Sequence, residues 1–194
     1  MLMPFDAESG GSDEDLLLAY GQGDARAARV LTLRLTPRAL GYAARLLRDT
    51  AEAEDVAQEA MLRLWRIAPE WRAGEAKVTT WLYRVVTNLC TDRLRRRRGQ
   101  GLDEVPEPED DAPGAEARLI AQARADALDA ALAALPERQR QAVILRHIEG
   151  LSNPEIAGIM EIGIEAVESL TARGKRALAL ALAGRRSELG FEDD

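Results

Sequence analysis

Trp81, Arg84, Asn88, Thr91, Asp92 and Arg95 recur at i, i+3, i+7, i+10, i+11 and i+14 within TTWLYRVVTNLCTDRLRRRR, residues 79–98. At that spacing they share one face of a helix. An aromatic ring offers a stacking plane to an unpaired base, an amide reads a base edge, and a guanidinium grips phosphate. The bland alternative is a solvated basic helix end, which the helix macrodipole favours without any ligand. Four consecutive arginines at 95–98 exceed what capping needs and point towards nucleic acid.

A second candidate surface lies in LSNPEIAGIMEIGIEAVESLTARGKRAL, residues 151–178. Ser152-Asn153-Pro154-Glu155 has the form of a capping box, with a hydroxyl at the cap and a carboxylate three residues later. The helix it opens is expected to run to Met160, turn through Glu161-Ile162-Gly163 and resume to about Leu182. Ile156, Ala157, Met160, Ile162, Val167 and Leu170 sit where two crossing helices need small or apolar residues. Glu165, Glu168, Ser169, Ala172, Arg173, Lys175 and Arg176 are then left to solvent. A carboxylate can accept from a cytosine amino group in the major groove, and serine can bond base or phosphate. The three basic residues suit backbone phosphate. Acid at a helix start is also what the dipole favours, and an ordinary helical hairpin has the same apolar pattern.

The third stretch is DVAQEAMLRLW, residues 55–65. Val56, Ala57, Ala60, Met61, Leu64 and Trp65 form one apolar stripe at helical spacing. The opposite face carries Asp55, Gln58, Glu59, Leu62 and Arg66, so a leucine stands among polar groups. One reading is an amphipathic helix with a single exposed leucine, which is common. The other is a docking stripe for a partner helix.

No catalytic constellation accompanies these surfaces. There is no nucleophile with a base, no glycine loop for phosphate and no metal-ligand spacing, so neither enzyme activity nor a cofactor is expected. The lone histidine, His147, falls in the last turn of a helix, where a partial positive charge is favoured and a structural role is expected. The lone cysteine, Cys90, excludes an internal disulfide and is expected to be a buried structural thiol.

The elements that must position these faces are all helical. The 194 residues are 46% hydrophobic but only 4% aromatic, rich in Ala and Leu, and without strand-like alternation of any length. Helices are expected from Asp13 to Tyr20, from Ala25 to Leu35, from Pro37 in a first-turn position, from a Thr50 cap to Ile67, and from Thr79 or Thr80 into the arginine run. On the last of these, Leu82, Val85, Val86, Leu89 and Leu94 are expected to face inward. An Ala-rich helix carrying Leu119, Ile120, Ala123, Leu128, Ala131, Leu132 and Leu135 ends at Pro136. That proline opens another helix through Ile148, closed by Gly150.

The formal net charge of -7 resides almost wholly in one segment. Residues 99–117 hold seven acidic residues and no basic one, whereas residues 1–98 hold 16 basic against 14 acidic. An overall acidic chain therefore keeps room for a nucleic-acid surface. GQGLDEVPEPEDDAPGAE cannot bury enough apolar area to fold. The expected organisation is all-α, with a helical domain at 1–98, a flexible acidic linker at 99–115, and a helical domain at 116–194 containing a helix-turn-helix. No apolar run approaches the roughly 18 residues of a membrane span, and the acidic N-terminus lacks a signal pattern, so a cytoplasmic location is expected.

The three stretches in this order, around an acidic linker, resemble an extracytoplasmic-function (ECF) sigma factor of the bacterial sigma-70 family. The resemblance covers about residues 13–98 and 116–182. It implies that the first domain docks core RNA polymerase and recognises the −10 element, and that the second recognises the −35 element. Asp55, Gln58, Glu59, Leu62 and Arg66 match the stretch that meets the β′ clamp helices. The loop Arg72–Thr79 and the helix after it match the part that melts and reads the −10 element. Lys77, Thr79, Trp81, Arg84, Asn88, Asp92, Arg95 and Arg96 are its implied DNA contacts, with Asn88 and the loop holding a flipped base. Ser152, Glu165, Glu168, Ser169, Ala172, Arg173, Lys175 and Arg176 are the implied −35 contacts. Implied partners are core polymerase (clamp helices and β flap), promoter DNA and an anti-sigma factor, with no small-molecule substrate. A sigma-like decoy that only sequesters an anti-sigma factor is the competing reading, and a decoy has no need of the arginine run. The chain departs from the family pattern at Val78, often aromatic; at Glu161, usually glycine; at Gly163, usually Ser or Thr; and at Glu168, commonly basic.

Overall fold

The computed structural model describes residues 11–99 and 116–183, and side chains from 123 onward in the second stretch. Among these residues there are eight α-helices and no strand. They fall into two compact units, one built on the four helices of the first stretch and one on those of the second. The linker expected at 99–115 lies, Gly99 apart, outside the described residues, as do the side chains of Leu119 and Ile120.

In the first unit, α1 (Asp13–Gly21) starts on a reciprocal cap. The Ser12 hydroxyl accepts the Asp15 amide at 3.1 Å, and the Asp15 carboxylate accepts the Ser12 amide at 3.1 Å. The next element differs from the sequence expectation. Instead of two helices divided at Pro37, α2 is one helix, Ala25–Leu47, with the proline inside it. A proline there removes one backbone hydrogen bond and crowds the preceding turn, at about 3 kcal/mol. What offsets this is a buried face that runs unbroken past it. Ala27, Leu31, Leu35, Ala39, Tyr42, Ala43, Leu46 and Leu47 are all shielded, at about 1.5–3 kcal/mol for each leucine. Splitting the helix would tear that face in two.

The start of α3 (Thr50–Ile67) is also shifted from expectation. Asp49, not Thr50, is the cap, its carboxylate accepting the Glu52 amide at 2.9 Å. A 3₁₀ turn at Ala68–Glu70 follows, then a loop, then α4 (Val78–Gly99). The buried face of α4 is Val78, Leu82, Tyr83, Val86, Thr87 and Cys90, while Val85, Leu89 and Leu94 are only half-buried. The inward face is therefore rotated from the expected one, and a hydrogen-bond chain permits it. Thr87 donates to the Tyr83 carbonyl at 2.7 Å, which leaves its oxygen to accept the Tyr42 hydroxyl at 3.0 Å. Polar groups satisfied in this way can be buried without penalty. Cys90 is fully buried, as expected.

In the second unit, α5 (Glu116–Ala133) precedes Pro136, and α6 (Glu137–Val143) continues as a π-turn from Ile144 to Ile148. Gly150 then takes φ +73°, where glycine is the cheap choice. The helix-turn-helix follows as α7 (Asn153–Met160) and α8 (Ile164–Ala183). Glu155 accepts the Ser152 amide at 2.8 Å and its hydroxyl at 2.6 Å, so the anticipated cap forms. Glu161 ends α7 in the left-handed region, φ 53° and ψ 49°, at a cost of about 1 kcal/mol for a non-glycine residue.

Candidate nucleic-acid and polymerase interfaces

Helical periodicity carries Asp55, Gln58, Leu62 and Arg66 to one solvent face of α3, with Glu59 half-buried among them. Leu62 is 44% exposed, while Val56, Ala60 and Leu64 on the other face are fully buried. Two members of this face already have partners. Glu59 takes Arg63 one turn on, Nε to Oε1 at 2.9 Å, and Asp55 lies 3.9 Å from Arg93 of α4.

On α4, Arg84, Asn88, Arg95 and Arg96 are exposed, as a phosphate- and base-contacting face requires. Asp92 is half-buried and accepts Arg95 at 2.7 Å, which places that guanidinium along the helix surface. Trp81 is half-buried against Trp71, edge to face, with centroids 6.3 Å apart and planes at 87°. One plane of the expected stacking surface is thus braced by a second indole.

The arginine run is split. Arg97 turns inward: Nη2 lies 3.0 Å from Asp49 Oδ2 and 2.9 Å from Glu52 Oε1, and Nη1 donates to the Leu47 carbonyl at 3.2 Å. Its side chain is only 19% exposed. Arg93 donates to the Glu52 carbonyl at 2.9 Å. Together they clasp α4 to the corner between α2 and α3. The sequence reading takes the run 95–98 as pointing to nucleic acid, with Arg95 and Arg96 as the named DNA contacts. Arg97 is a structural clasp instead, because the half-buried carboxylates of Asp49 and Glu52 converge on it.

The loop before α4 borders a cleft of about 540 Å³ walled by Ser12, Glu14, Gly74, Lys77 and Thr79, among others. Lys77 is exposed at its rim, Thr79 is half-buried, and Val78 is buried beneath them as the first residue of α4. Glu14 accepts the Gly74 amide at 2.9 Å and the Trp71 indole at 3.4 Å. Sequence reasoning missed both Glu14 and Trp71. Their partners stand roughly 60 residues apart along the chain, and no local pattern reports such a pairing.

On α8, Glu165, Glu168, Ser169, Ala172, Arg173, Lys175 and Arg176 are all exposed, as expected. Glu168 accepts the Asn153 side-chain amide at 3.3 Å, which ties the start of α7 to the middle of the presented face. Arg173 donates through Nε to the Ser169 carbonyl at 3.2 Å, laying its guanidinium along the helix. The Ser152 hydroxyl is held by Glu155. His147 is exposed at the end of the π-turn. Partial desolvation, then Lys175, then Arg146 hold its pKa below the ordinary value of 6.5, against the charge that a helix end would favour.

Among the described residues, no helix is long and apolar enough to cross a membrane. The described side chains include no group of three or more His, Cys, Asp or Glu arranged to hold a metal ion.

Two family models match the chain: Sigma-70 region 2 over residues 31–100 and Sigma-70, region 4 over residues 125–178. The chain is 32% identical over 181 residues to the RNA polymerase sigma-H factor of Pseudomonas aeruginosa, covering 88% of this chain and 93% of that protein. It is 37% identical over 172 residues to the ECF RNA polymerase sigma factor SigM of Mycobacterium tuberculosis, covering 88% and 85%. Among solved structures, CnrH in complex with the cytosolic domain of CnrY superposes with a TM-score of 0.63 at 25% identity, over 92% of this chain and 99% of that one. The sigma factor RpoE of Bartonella quintana, in complex with the anti-sigma factor NepR, has the same fold at a TM-score of 0.68 and 22% identity, over 80% and 96%. A helical unit for each matched region, joined to relatives that span nearly its whole length, identifies the chain as a member of the ECF sigma factors, which are transcription initiation factors and not enzymes.

Proposed function

We propose that the chain binds core RNA polymerase in the cytoplasm and directs it to a promoter class by reading both a −10 and a −35 element. The observation that carries this reading is on α4. Arg84, Asn88, Arg95 and Arg96 are exposed on a helix whose opposite face is wholly used in the core. A rigid helix presenting exposed guanidinium and amide groups suits a distorted, partly unpaired strand. The cleft beside the loop is of a size to receive one base, whose extrusion is offset by stacking and edge contacts.

The α3 face docks the β′ clamp helices, with Leu62 as the apolar anchor and Asp55, Gln58, Glu59 and Arg66 as its polar rim. The second unit reads the −35 major groove through Glu165, Glu168 and Ser169, with Ala172 against the groove and Arg173, Lys175 and Arg176 on phosphate. It also leans on the β flap. Ser152 stands at the α7 start, where a backbone phosphate would meet it. Residues 99–115 thread towards the RNA exit path. An anti-sigma factor, the partner that the resemblance to ECF sigma factors implies, holds the protein inactive; the similar CnrH was solved bound to a protein partner, the cytosolic domain of CnrY.

The deciding experiment adds the purified chain to sigma-free core polymerase with a library of promoter fragments and maps the transcripts. Starts clustered downstream of a shared pair of elements are expected. No promoter-specific transcript, alongside tight binding to an anti-sigma candidate, overturns the reading in favour of a decoy.

A further inference from the structure

The loop at residues 71–77 belongs to no helix or strand, so a few backbone bonds, such as Glu75 N–H to the Arg72 carbonyl at 3.5 Å, share the setting of its shape with side-chain contacts. A single carboxylate supplies two of them. Glu14, in the first turn of α1, accepts the Gly74 amide at 2.9 Å and the Trp71 indole N–H at 3.4 Å. Gly74 has φ +81°, a conformation that side-chain-bearing residues rarely adopt. Trp71 in turn meets the ring of Trp81 edge to face. Glu14 and Gly74 are also two of the walls of the 540 Å³ cleft. One acceptor therefore fixes the loop backbone, the cleft wall and, through Trp71, the indole that begins the exposed face of α4.

We infer that Glu14 is a positioning residue for base readout in this cleft. Its carboxylate holds Gly74 and Trp71, and through Trp71 the Trp81 ring, in one arrangement before an unpaired base enters. A loop already ordered loses less freedom on binding, and discrimination between bases depends on donors and acceptors that do not shift to accommodate the wrong one. The inference rests on the proposal that α4 and its preceding loop read the −10 element.

The test uses the full chain bound to core polymerase. 2-Aminopurine is placed at successive non-template positions of the −10 element to find the base that leaves the stack. Initiation is then measured from promoters carrying each of the four bases there. Glu14→Ala is expected to lower discrimination between best and worst base about tenfold, the scale of one well-placed base contact. Glu14→Gln, whose amide oxygen still accepts, is expected to keep discrimination within about twofold of wild type. Affinity for core polymerase stays at the wild-type level in both, because the α3 face is untouched. A Glu14→Ala variant that initiates with wild-type discrimination overturns the inference. Should that variant lose helix content, Trp71→Phe decides, since it deletes one donor and keeps a ring; unchanged discrimination there overturns the inference equally. If the wild-type complex itself shows no extruded base and no preference, the −10 reading has failed, and this inference falls with it.

Discussion

Gly174 of α8 passes so close to Val143 of α6 that a Cβ added to the glycine would lie 2.5 Å from the valine Cγ2 and 3.4 Å from the Gln139 carbonyl oxygen. The absence of a side chain at 174 sets the distance between the two helices, and so the angle at which the α8 face is presented. Gly174→Ala gains about 1 kcal/mol in helix propensity but forces a buried, stiff valine to move, which costs about 1–3 kcal/mol. The expected net effect is a loss of stability of about 1 kcal/mol, read by chemical denaturation. Adding Val143→Ala should make the pair less damaging than the sum of the single variants. Strict additivity would show that the two residues do not compete for space.

Arg97 and Arg96 are neighbours in sequence with different expected phenotypes. Arg97→Ala leaves Asp49 and Glu52 without the guanidinium between them, and stability should fall by about 1–3 kcal/mol. Arg96→Ala, at an exposed position, should leave stability unchanged within about 0.5 kcal/mol. It should instead weaken −10 DNA binding and reduce the salt slope by about one. Melting curves and binding isotherms at several salt concentrations separate the two; an exchange of phenotypes would refute the clasp.

Arg173→Ala should weaken −35 DNA binding across all sequences and reduce the salt slope by about one. Glu168→Ala should relax preference at a single base pair by about 1–3 kcal/mol. The Asn153 amide that now bonds Glu168 should make Asn153→Ala a weaker version of the same phenotype. Competition binding against a randomised −35 library reads all three, and a uniform loss for Glu168→Ala would assign it a structural role.

His147 sets a pH response. Its folded pKa lies below the ordinary 6.5, so the unfolded chain binds a proton more readily in the window just beneath that value. Stability of the second unit should therefore rise with pH through that window and level off above it. His147→Gln should flatten the rise. Denaturation midpoints measured at half-unit pH steps check this; a variant with the wild-type slope would place the titration elsewhere.

Some of this could be read along the chain and some could not. The Ser152–Glu155 cap, the exposed Leu62 and the solvent face of α8 follow from spacing within one or two helical turns, and periodicity reports such spacing directly. Pro37 misled because its local rule is strong, while the buried face that overrides it becomes visible only when α1, α3 and α4 are packed against it. Nothing local marks Thr87 for burial, because the partner that permits it, Tyr42, lies 45 positions away. Arg97 could not be told from Arg96 by type, since only the position of Asp49 and Glu52 in space distinguishes them. Glu14 carried no signal beyond an acid in a first turn.

Pro37 inside α2 also bears on the order of assembly. A peptide of residues 25–47 alone would break near the proline, since isolated helices are marginal and this one lacks a backbone bond at its centre. Its two halves are kept in line largely by the surfaces that bury them. The central helix of the first unit is thus a product of assembly and not a preformed strut. Its helicity should appear together with the docking of its neighbours, and the whole unit should melt in a single transition.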